Sequence, residues 1–276
     1  MPLAKNFIFS ANNLQDYLDC PRRFELRHIL KQNWPAITSQ PILEMENRIQ
    51  MGNRFHQLAH QYLSSISKVL LKDSIDDPEL GLWFNNFQEY IQKYLDPPFF
   101  SEFTVIMPFG GFRLIAVFDF ITFLDTNKIL IADWKTTSRL PKKEVYLQSV
   151  QSHLYPFLAF ETRINYFPQS SILQYQDLSM EYWFPGFPEK TITREHSAAN
   201  HSSSRELLSS LISEVSQKEP GDFVKTSNDK RCAFCQYRSL CERGIQAGIS
   251  DDSENDIESD LISDDLDFDQ IEEIAF

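Results

Sequence analysis

The stretch SEFTVIMPFGGFRLIAVFDFITFLDTNKILIADWKT, residues 101–136, decides the fold of this chain. It contains three runs rich in β-branched and aromatic residues, which are separated by Gly110-Gly111 and by a polar turn at 125–127. Such runs joined by short turns are typical of β-hairpins, so we expect three consecutive strands. The predicted strands cover residues 101–109, 112–124 and 128–136.

Helical patterns flank these strands on both sides. The predicted helices cover residues 14–19, 21–30, 43–66, 80–95 and 144–163. Ser10 is placed to cap the first helix, Pro21 suits the first turn of the second, and Pro97-Pro98 ends the fourth. A further strand is predicted at 178–184. The central order of helix, three strands, helix and strand indicates an α/β fold with additional N-terminal helices.

Charge is distributed unevenly along the 276 residues. The chain has 39 Asp plus Glu against 26 Lys plus Arg, a net charge of −13, but residues 250–276 hold 12 of the acidic residues and no basic one. We therefore expect a single, nearly neutral globular domain at 1–249 and an acidic tail at 250–276 that stays disordered because its charges repel one another. The alternative is that apolar residues within the tail dock on a basic partner or cover a DNA groove.

No sequence window has the roughly 18 uninterrupted apolar residues of a membrane span. The most apolar run, 112–124, carries Asp119 at its centre, and the N-terminal apolar stretch is too short for a secretory signal. These features predict a cytoplasmic protein without a membrane partner.

Three charged residues interrupt the central strands. Asp119 lies within an apolar strand, and Asp133 and Lys135 flank Trp134 at the end of the next strand. Residues two apart in a strand share a face, so Asp133 and Lys135 point the same way, and Asp119 could reach the same place. Two carboxylates suit a divalent cation and an ammonium suits a phosphate, which together favour phosphodiester hydrolysis. The structural alternative is a buried Asp–Lys ion pair.

Two helices add polar pairs at a spacing of four residues, which puts each pair on one helical face. His56 and His60 lie in the helix before the strands and could point at one metal or one phosphate. Gln151 and Tyr155 lie in the helix after them and could contact a DNA backbone or orient Lys135. Each pair alone is weak evidence, because a helical histidine is more often a packing residue.

Four cysteines indicate a metal site. Cys232, Cys235 and Cys241 are closely spaced, whereas Cys20 lies near the N-terminus. Since we expect a cytosolic chain, two disulfides are disfavoured, which leaves a metal site or four unrelated buried thiols. In a metal site, four thiolates could hold either Zn²⁺ or an iron–sulfur cluster. A shared site would require the N-terminal helices to pack against the C-terminal cysteine loop. Basic residues near both parts of this site could bind phosphates.

These residues together resemble the RecB-like branch of the PD-(D/E)xK nuclease superfamily. The resemblance spans about residues 7–243 and keeps the family's order. It rests on FSANNLQDYLDCPRRFEL at 9–26, Gly52-x3-His56, Asp119 in AVFDFI, Asp133-Trp-Lys135, Gln151-x3-Tyr155 and the CxxCx5C pattern at 232–241. The chain looks in particular like members with a four-cysteine iron–sulfur staple, which occur among bacterial recombination exonucleases and CRISPR-adaptation nucleases.

The resemblance implies a restriction-endonuclease-like core with an iron–sulfur-stapled C-terminus, and a role for each motif. It implies that His56, Asp119 and Asp133 bind Mg²⁺ or Mn²⁺, and that Lys135 is the catalytic lysine. It places Gln151 and Tyr155 beside the active site as further catalytic-motif residues. It assigns a [4Fe-4S] cluster to Cys20, Cys232, Cys235 and Cys241. Glu102 matches loosely as an extra acidic ligand, and His60 has no counterpart.

The implied function is that of a metal-dependent DNA nuclease, an exonuclease acting on DNA ends or single strands in repair, recombination or defence. The sequence carries no helicase motif, so any unwinding would come from a helicase or another DNA-processing partner. Two other classes remain open at this point. One is a catalytically inactive nuclease fold that binds DNA or assembles a complex. The other is a zinc-stapled interaction protein in which Asp133 and Lys135 form a structural pair.

Overall fold

A mixed six-stranded sheet with helices on both faces forms the centre of the protein. The computed structural model describes residues 3–33, 40–125, 128–140, 142–167 and 173–244. The acidic tail expected at 250–276 lies outside these described residues. None of the described helices is both long and apolar enough to cross a membrane.

The helices and strands alternate in the order predicted for the core. The strands are β1 (Ile8–Phe9), β2 (Phe99–Phe109), β3 (Phe112–Asp125), β4 (Lys128–Trp134), β5 (Leu178–Trp183) and β6 (Thr191–Glu195). The helices are α1 (Ala11–Asp19), α2 (Pro21–Phe24), α3 (Gln40–Leu63), α4 (Lys68–Asp73), α5 (Pro78–Ile91), α6 (Lys143–Gln148), α7 (Val150–Tyr166) and α8 (Ala198–Gln217). A π-helical turn, Glu25–Ile29, continues α2, and single 3₁₀ turns follow at Gln92–Tyr94, Tyr175–Asp177 and Asp229–Cys232.

Strand β3 is the longest strand and organises the sheet. It pairs antiparallel with β2 along most of its length, antiparallel with β4 near its end, and parallel with β1 near its start. Strand β5 then adds parallel to β4, and β6 adds antiparallel to β5. The crossover from β4 to β5 runs through α6 and α7, as a parallel pair requires.

Two separate apolar cores cover the two faces of the sheet. Helices α1, α7 and α8 pack on one face, and α3, α4 and α5 pack on the other. Along β4 the side chains alternate regularly, so that Ile131 faces the first core while Ala132 and Trp134 face the second. This alternation is the two-residue period of a strand buried on both sides.

The three central strands, the helix before them and the strand after α7 confirm the predicted α/β core, a mixed arrangement consistent with a restriction-endonuclease-like fold. The prediction of one continuous helix over 144–163 was wrong. Ser149 is extended there, with φ −64° and ψ 151°, and its hydroxyl caps α7 by accepting a hydrogen bond from Ser152 N–H. A capping serine ends one helix and starts the next because it satisfies the free N–H groups of the new first turn.

Candidate active site

Strands β2 and β3 are both interrupted at the same level of the sheet. The ladder pairs Ser101 with Phe120 and Phe103 with Phe118, but it leaves out the residues between them, Glu102 and Asp119. Residues two apart in a regular strand share a face. Here Phe118 and Phe120 belong to opposite cores, so β3 changes orientation at Asp119.

Glu102 has a backbone conformation that is unusual for a residue other than glycine. Its φ is 51°, in the left-handed region, in the middle of an eleven-residue strand. Such strained residues concentrate at functional sites, where the surrounding fold holds them in place. The matching interruptions bring the Glu102 and Asp119 carboxylates together at one point of the sheet.

His56, Glu102 and Asp119 form a candidate metal site. Each offers one ligand atom, and these atoms all lie within 4.8 Å of one another. Each residue comes from a different element, namely α3, β2 and β3. Among the residues that the structure describes, this is the group of three or more acidic, histidine or cysteine ligands that lies so close together.

Asp119 is held by its neighbours in the ionised form. Its Oδ2 accepts a hydrogen bond of 2.8 Å from the backbone N–H of Trp134 and lies 3.4 Å from His56 Nδ1. Burial by itself would raise the pKa of Asp119, but the charges of His56 and Lys135 and the hydrogen bonds from His56 and Trp134 lower it below its ordinary value. A carboxylate that stays ionised is the form that a cation needs.

Asp133 and Lys135 form a buried ion pair next to helix α7. Lys135 Nζ lies 3.0 Å from Asp133 Oδ1, and both side chains are only 3% exposed. Gln151 Nε2 lies 3.2 Å from Asp133 Oδ1 and 3.0 Å from Oδ2. Since Lys135 also acts electrostatically on Asp119, the ion pair borders the candidate metal site rather than lying apart from it.

Three other predicted site residues, His60, Tyr155 and Asp133, lie outside the ligand group of His56, Glu102 and Asp119. His60 does not join the ligand group, because its Nδ1 lies 2.9 Å from Ser101 Oγ. The ring of Tyr155 is buried and packs edge-on against Phe118, with 5.3 Å between centroids. Tyr155 therefore supports the strand next to Asp119. Asp133, which the resemblance puts among the metal ligands, is not a member of the close ligand group. Its carboxylate instead contacts Lys135 and Gln151.

Two residues contribute to the site without a strong signal in the sequence. Glu102 was only a loose match, although a charged residue inside an apolar strand was a usable signal. Gly52 was part of the Gly52-x3-His56 motif, but its close approach to Thr136 had no sequence signal. A β-carbon on Gly52 would lie 2.7 Å from Thr136 Oγ1, so only glycine lets α3 approach the segment after β4 this closely. This approach sets the position of His56, one helical turn later.

The four cysteines converge as predicted. Cys20, Cys232, Cys235 and Cys241 all line one small cavity that is partly open to solvent. None forms a disulfide. Burial raises the pKa of Cys235 to about 11, against the opposing effect of Arg23. The predicted packing of the N-terminal helices against the C-terminal cysteine loop is therefore confirmed.

Contacts away from the cavity also join the two ends of the chain. Arg22 N–H donates to Val224 O at 3.2 Å, and Gly221 N–H donates to Glu25 Oε1 at 3.0 Å. The ring of Phe223 stacks on Phe24, with 5.9 Å between centroids. The cysteine residues thus lie between segments that pack on one another independently.

Comparisons with known proteins place this chain in a family. No curated protein matches it. Similar solved structures include SSO0001, with 14% identity over 87% of this chain and 88% of that one and a TM-score of 0.42. They also include a protein from Eubacterium rectale named "putative exonuclease", with 13% identity over 92% and 93% and a TM-score of 0.47. The family model of the PD-(D/E)XK nuclease superfamily matches residues 8–242, from strand β1 past the last cysteine, and the chain therefore belongs to that superfamily.

Proposed function

We propose that this protein is a metal-dependent deoxyribonuclease, an exonuclease that hydrolyses phosphodiester bonds at DNA ends or in single strands. The biological setting that we propose is DNA repair, recombination or defence. The observation that carries the proposal is the meeting of two groups at one point of the sheet. One is the ligand group of His56, Glu102 and Asp119, and the other is the Asp133–Lys135 ion pair beside it. Membership of the nuclease superfamily supports the same conclusion.

The ligand group fits a divalent cation by its chemistry. Carboxylate oxygens are the ligands that Mg²⁺ and Mn²⁺ prefer, and an added imidazole is compatible with Mn²⁺. The low pKa of Asp119 keeps its carboxylate available for a cation at neutral pH. We propose His56, Glu102 and Asp119 as the residues that would hold the ion, with Asp133 as the further carboxylate implied by the family resemblance. A bound ion would act as a Lewis acid toward the scissile phosphate and lower the pKa of a bound water.

Lys135 supplies the positive charge that the reaction needs. Its ammonium is fixed by Asp133 at 3.0 Å, in a setting where little water screens it. A preorganised cation stabilises the negative charge that develops on the phosphate during hydrolysis, and it can orient an attacking water. We propose Lys135 as the catalytic lysine. Asp133 and Gln151 hold it in place, and Tyr155 packs behind strand β3.

The four cysteines are proposed to hold a [4Fe-4S] cluster with a structural role. Cys20, Cys232, Cys235 and Cys241 line one cavity, and four thiolates suit either tetrahedral zinc or an iron–sulfur cluster. The family resemblance favours the cluster over zinc.

Cleavage of labelled DNA tests the proposed activity. Protein purified without oxygen is incubated with Mg²⁺ or Mn²⁺ and with single-stranded, double-stranded and circular DNA. We expect the wild type to shorten linear DNA from an end and to leave circles intact, whereas Asp119→Ala and Lys135→Ala are inactive. Lys68→Ala, which changes an exposed lysine on α4, serves as the matched control and should cleave normally.

The outcomes separate the candidate activities. Cleavage of circles would contradict the exonuclease assignment while keeping the nuclease. No cleavage by folded wild type with either metal would reject the enzyme in favour of an inactive DNA-binding subunit. Equal cleavage by wild type and both site variants would reject the assigned residues. Iron and sulfide analysis of the same preparation tests the cluster, since zinc without iron would reject it.

A further inference from the structure

Arg23 lies at the junction between the cysteine cavity and the N-terminal helices. It is in α2, three residues after Cys20, and its backbone N–H donates to Cys20 O at 2.9 Å. Its side chain is 9% exposed and lines the cavity with the four cysteines. A buried guanidinium requires anionic partners, because the charge is otherwise costly to remove from water.

Two carboxylates of α1 hold this guanidinium in one orientation. Arg23 Nε lies 2.7 Å from Asp16 Oδ1, and NH2 lies 2.9 Å from Asp19 Oδ2. Asp19 directly precedes Cys20 in the chain. The planar fork of arginine can engage two acceptors at once, which the point charge of a lysine does less well. The guanidinium thus fixes the turn in which Cys20 lies.

The same chain of charges continues to the other cysteine segment. Arg231 NH1 lies 3.2 Å from Asp19 Oδ1, and Arg231 directly precedes Cys232. Asp19 therefore accepts a hydrogen bond from Arg23 in the N-terminal part and forms an ion pair with Arg231 in the C-terminal part. Both arginines line the cavity. This ion network joins the two halves of the cysteine site.

The charge of Arg23 also acts on the cysteines themselves. Its guanidinium lines the same cavity as Cys20, Cys232, Cys235 and Cys241, so a positive charge lies beside the four sulfurs. Four thiolates carry more negative charge than the metal centre that they would hold can cancel. A nearby cation reduces this excess, and net charge and hydrogen bonds near the sulfurs are among the factors that set a cluster's reduction potential.

We propose that Arg23 is a positioning residue for the metal centre in the cysteine cavity, which fixes Cys20 opposite the C-terminal cysteines and compensates the negative charge of the bound centre. This inference rests on the proposed four-cysteine cofactor. It concerns a residue of the cysteine cavity and not a member of the nuclease ligand group described above. The function assigned to Arg23 is retention and electronic tuning of the cofactor rather than catalysis.

The test compares Arg23→Gln and Arg23→Lys with the wild type and with Arg27→Gln. Arg27 is the matched control, because it pairs with the same Asp16 at 3.3 Å but does not line the cavity. Asp16 keeps His28 at 2.8 Å and Asp19 keeps Arg231 when Arg23 is changed, so the carboxylates retain partners. Circular dichroism and thermal unfolding confirm that each variant is folded.

Two readouts that do not depend on nuclease activity decide the question. We expect Arg23→Gln to release iron to a chelator several-fold faster than the wild type and to shift the midpoint potential of the cluster to more negative values. Arg23→Lys should restore most of the potential but little of the retention, because it keeps the charge and loses the fork. Arg27→Gln should match the wild type in both. Wild-type values in a folded Arg23→Gln would overturn the proposal.

Further outcomes distinguish this inference from the proposed function. If Arg23→Gln does not fold, Arg231→Gln, at a partly exposed position, should show the faster iron release, and its failure to do so would overturn the network. If anaerobically purified wild type contains no iron, both the cluster and this role of Arg23 are overturned. Wild type with iron but without nuclease activity would reject the proposed function and leave the iron-release result to judge Arg23.

Discussion

Gln151 on helix α7 donates to both carboxylate oxygens of Asp133 on strand β4, at 3.0 and 3.2 Å. One carboxylate thus has partners from two elements, since Lys135 lies 3.0 Å from the same Asp133 Oδ1. A buried carboxylate with several hydrogen-bond partners has one favoured orientation. The position of α7 is therefore linked directly to the geometry of the Asp133–Lys135 pair.

Removing the Gln151 amide should impair cleavage without unfolding the protein. We expect Gln151→Ala to lower the single-turnover cleavage rate by about 10- to 100-fold, as is typical when a residue that orients an active-site group is lost. Gln151→Glu should be worse, because it places a second carboxylate against Asp133. Gln148→Ala, an exposed glutamine at the end of α6, is the control. An unchanged rate in Gln151→Ala would show that Asp133 needs no support from α7.

Glu102 should show opposite effects on stability and on activity. Its φ of 51° costs a residue with a side chain on the order of 1 kcal/mol, which glycine avoids. We expect Glu102→Gly to raise the free energy of unfolding by about that amount and to raise the Mn²⁺ concentration needed for half-maximal cleavage. Glu102→Gln keeps the strained backbone, so it should raise the Mn²⁺ concentration needed for half-maximal cleavage without changing the free energy of unfolding. Urea unfolding and a Mn²⁺ titration measure the two effects. Unchanged Mn²⁺ dependence in both variants would remove Glu102 from the ligand group.

The contact between Gly52 and Thr136 predicts a rescue by a second substitution. Gly52→Ala should lower cleavage several-fold, because its β-carbon would lie 2.7 Å from Thr136 Oγ1 and displace the α3 turn that carries His56. Adding Thr136→Ala removes that oxygen and leaves the Thr136 β-carbon 3.8 Å away, an ordinary contact, so activity should return. Gly81→Ala on α5 meets its nearest atom at 3.7 Å and should leave activity unchanged. A double variant no better than Gly52→Ala would contradict the steric explanation.

Two histidines on the α7 side of the sheet should make the fold sensitive to acid. Burial, reinforced by the charge of Arg194, lowers the pKa of His153 to about 4. Burial, together with His201 and Arg194, lowers the pKa of His196 to about 4. Arg194 NH2 lies 3.4 Å from His153 Nδ1, and since guanidinium only donates, this nitrogen must be unprotonated.

The sign of the pH effect follows from these lowered values. An unfolded histidine binds its proton near pH 6.5, so between pH 6.5 and 4 the unfolded state holds more protons than the folded state. Stability should be complete above pH 6.5 and fall as the pH drops toward 4. We expect a loss on the order of 1 to 2 kcal/mol for His153, whose side chain is half-buried, and at least as much for the buried His196. Urea unfolding between pH 7 and 4.5 measures it, and His153→Gln should flatten the profile. An equally steep profile in that variant would contradict the assignment.

Elements with a strong local signal could be predicted from the sequence. The three hairpin strands follow from their apolar runs and turns, and α1 follows from its cap, in which Ser10 Oγ accepts from Asn13 N–H. The shortest strand, β1, has two residues and no period to detect. Strand β6 and the serine-rich α8 were also missed, because each has few apolar residues and depends on burial against neighbouring elements.

For the candidate site, the sequence predicted the types of residues but not the contacts between them. The residue types could be predicted because charged residues are rare inside apolar strands unless they are paired or functional. The close spacing of Cys232, Cys235 and Cys241 was a second signal. Hydrogen-bond partners were not readable, since they join positions far apart in the chain. The sequence could not place His56 rather than His60 at Asp119, because both lie on one helical face and the packing of α3 selects between them.

The sequence by itself determined the core order of elements and the chemical types of the site residues. Each of these follows from periodicity, turn chemistry or residue spacing, which are local properties of the chain. Only the tertiary structure decided that Glu102 joins His56 and Asp119 and that Asp133 is bound by Gln151 and Lys135. Those assignments depend on the interruption shared by β2 and β3 and on the docking of helices against the sheet. Local sequence does not encode such distances, because they result from how the whole core packs.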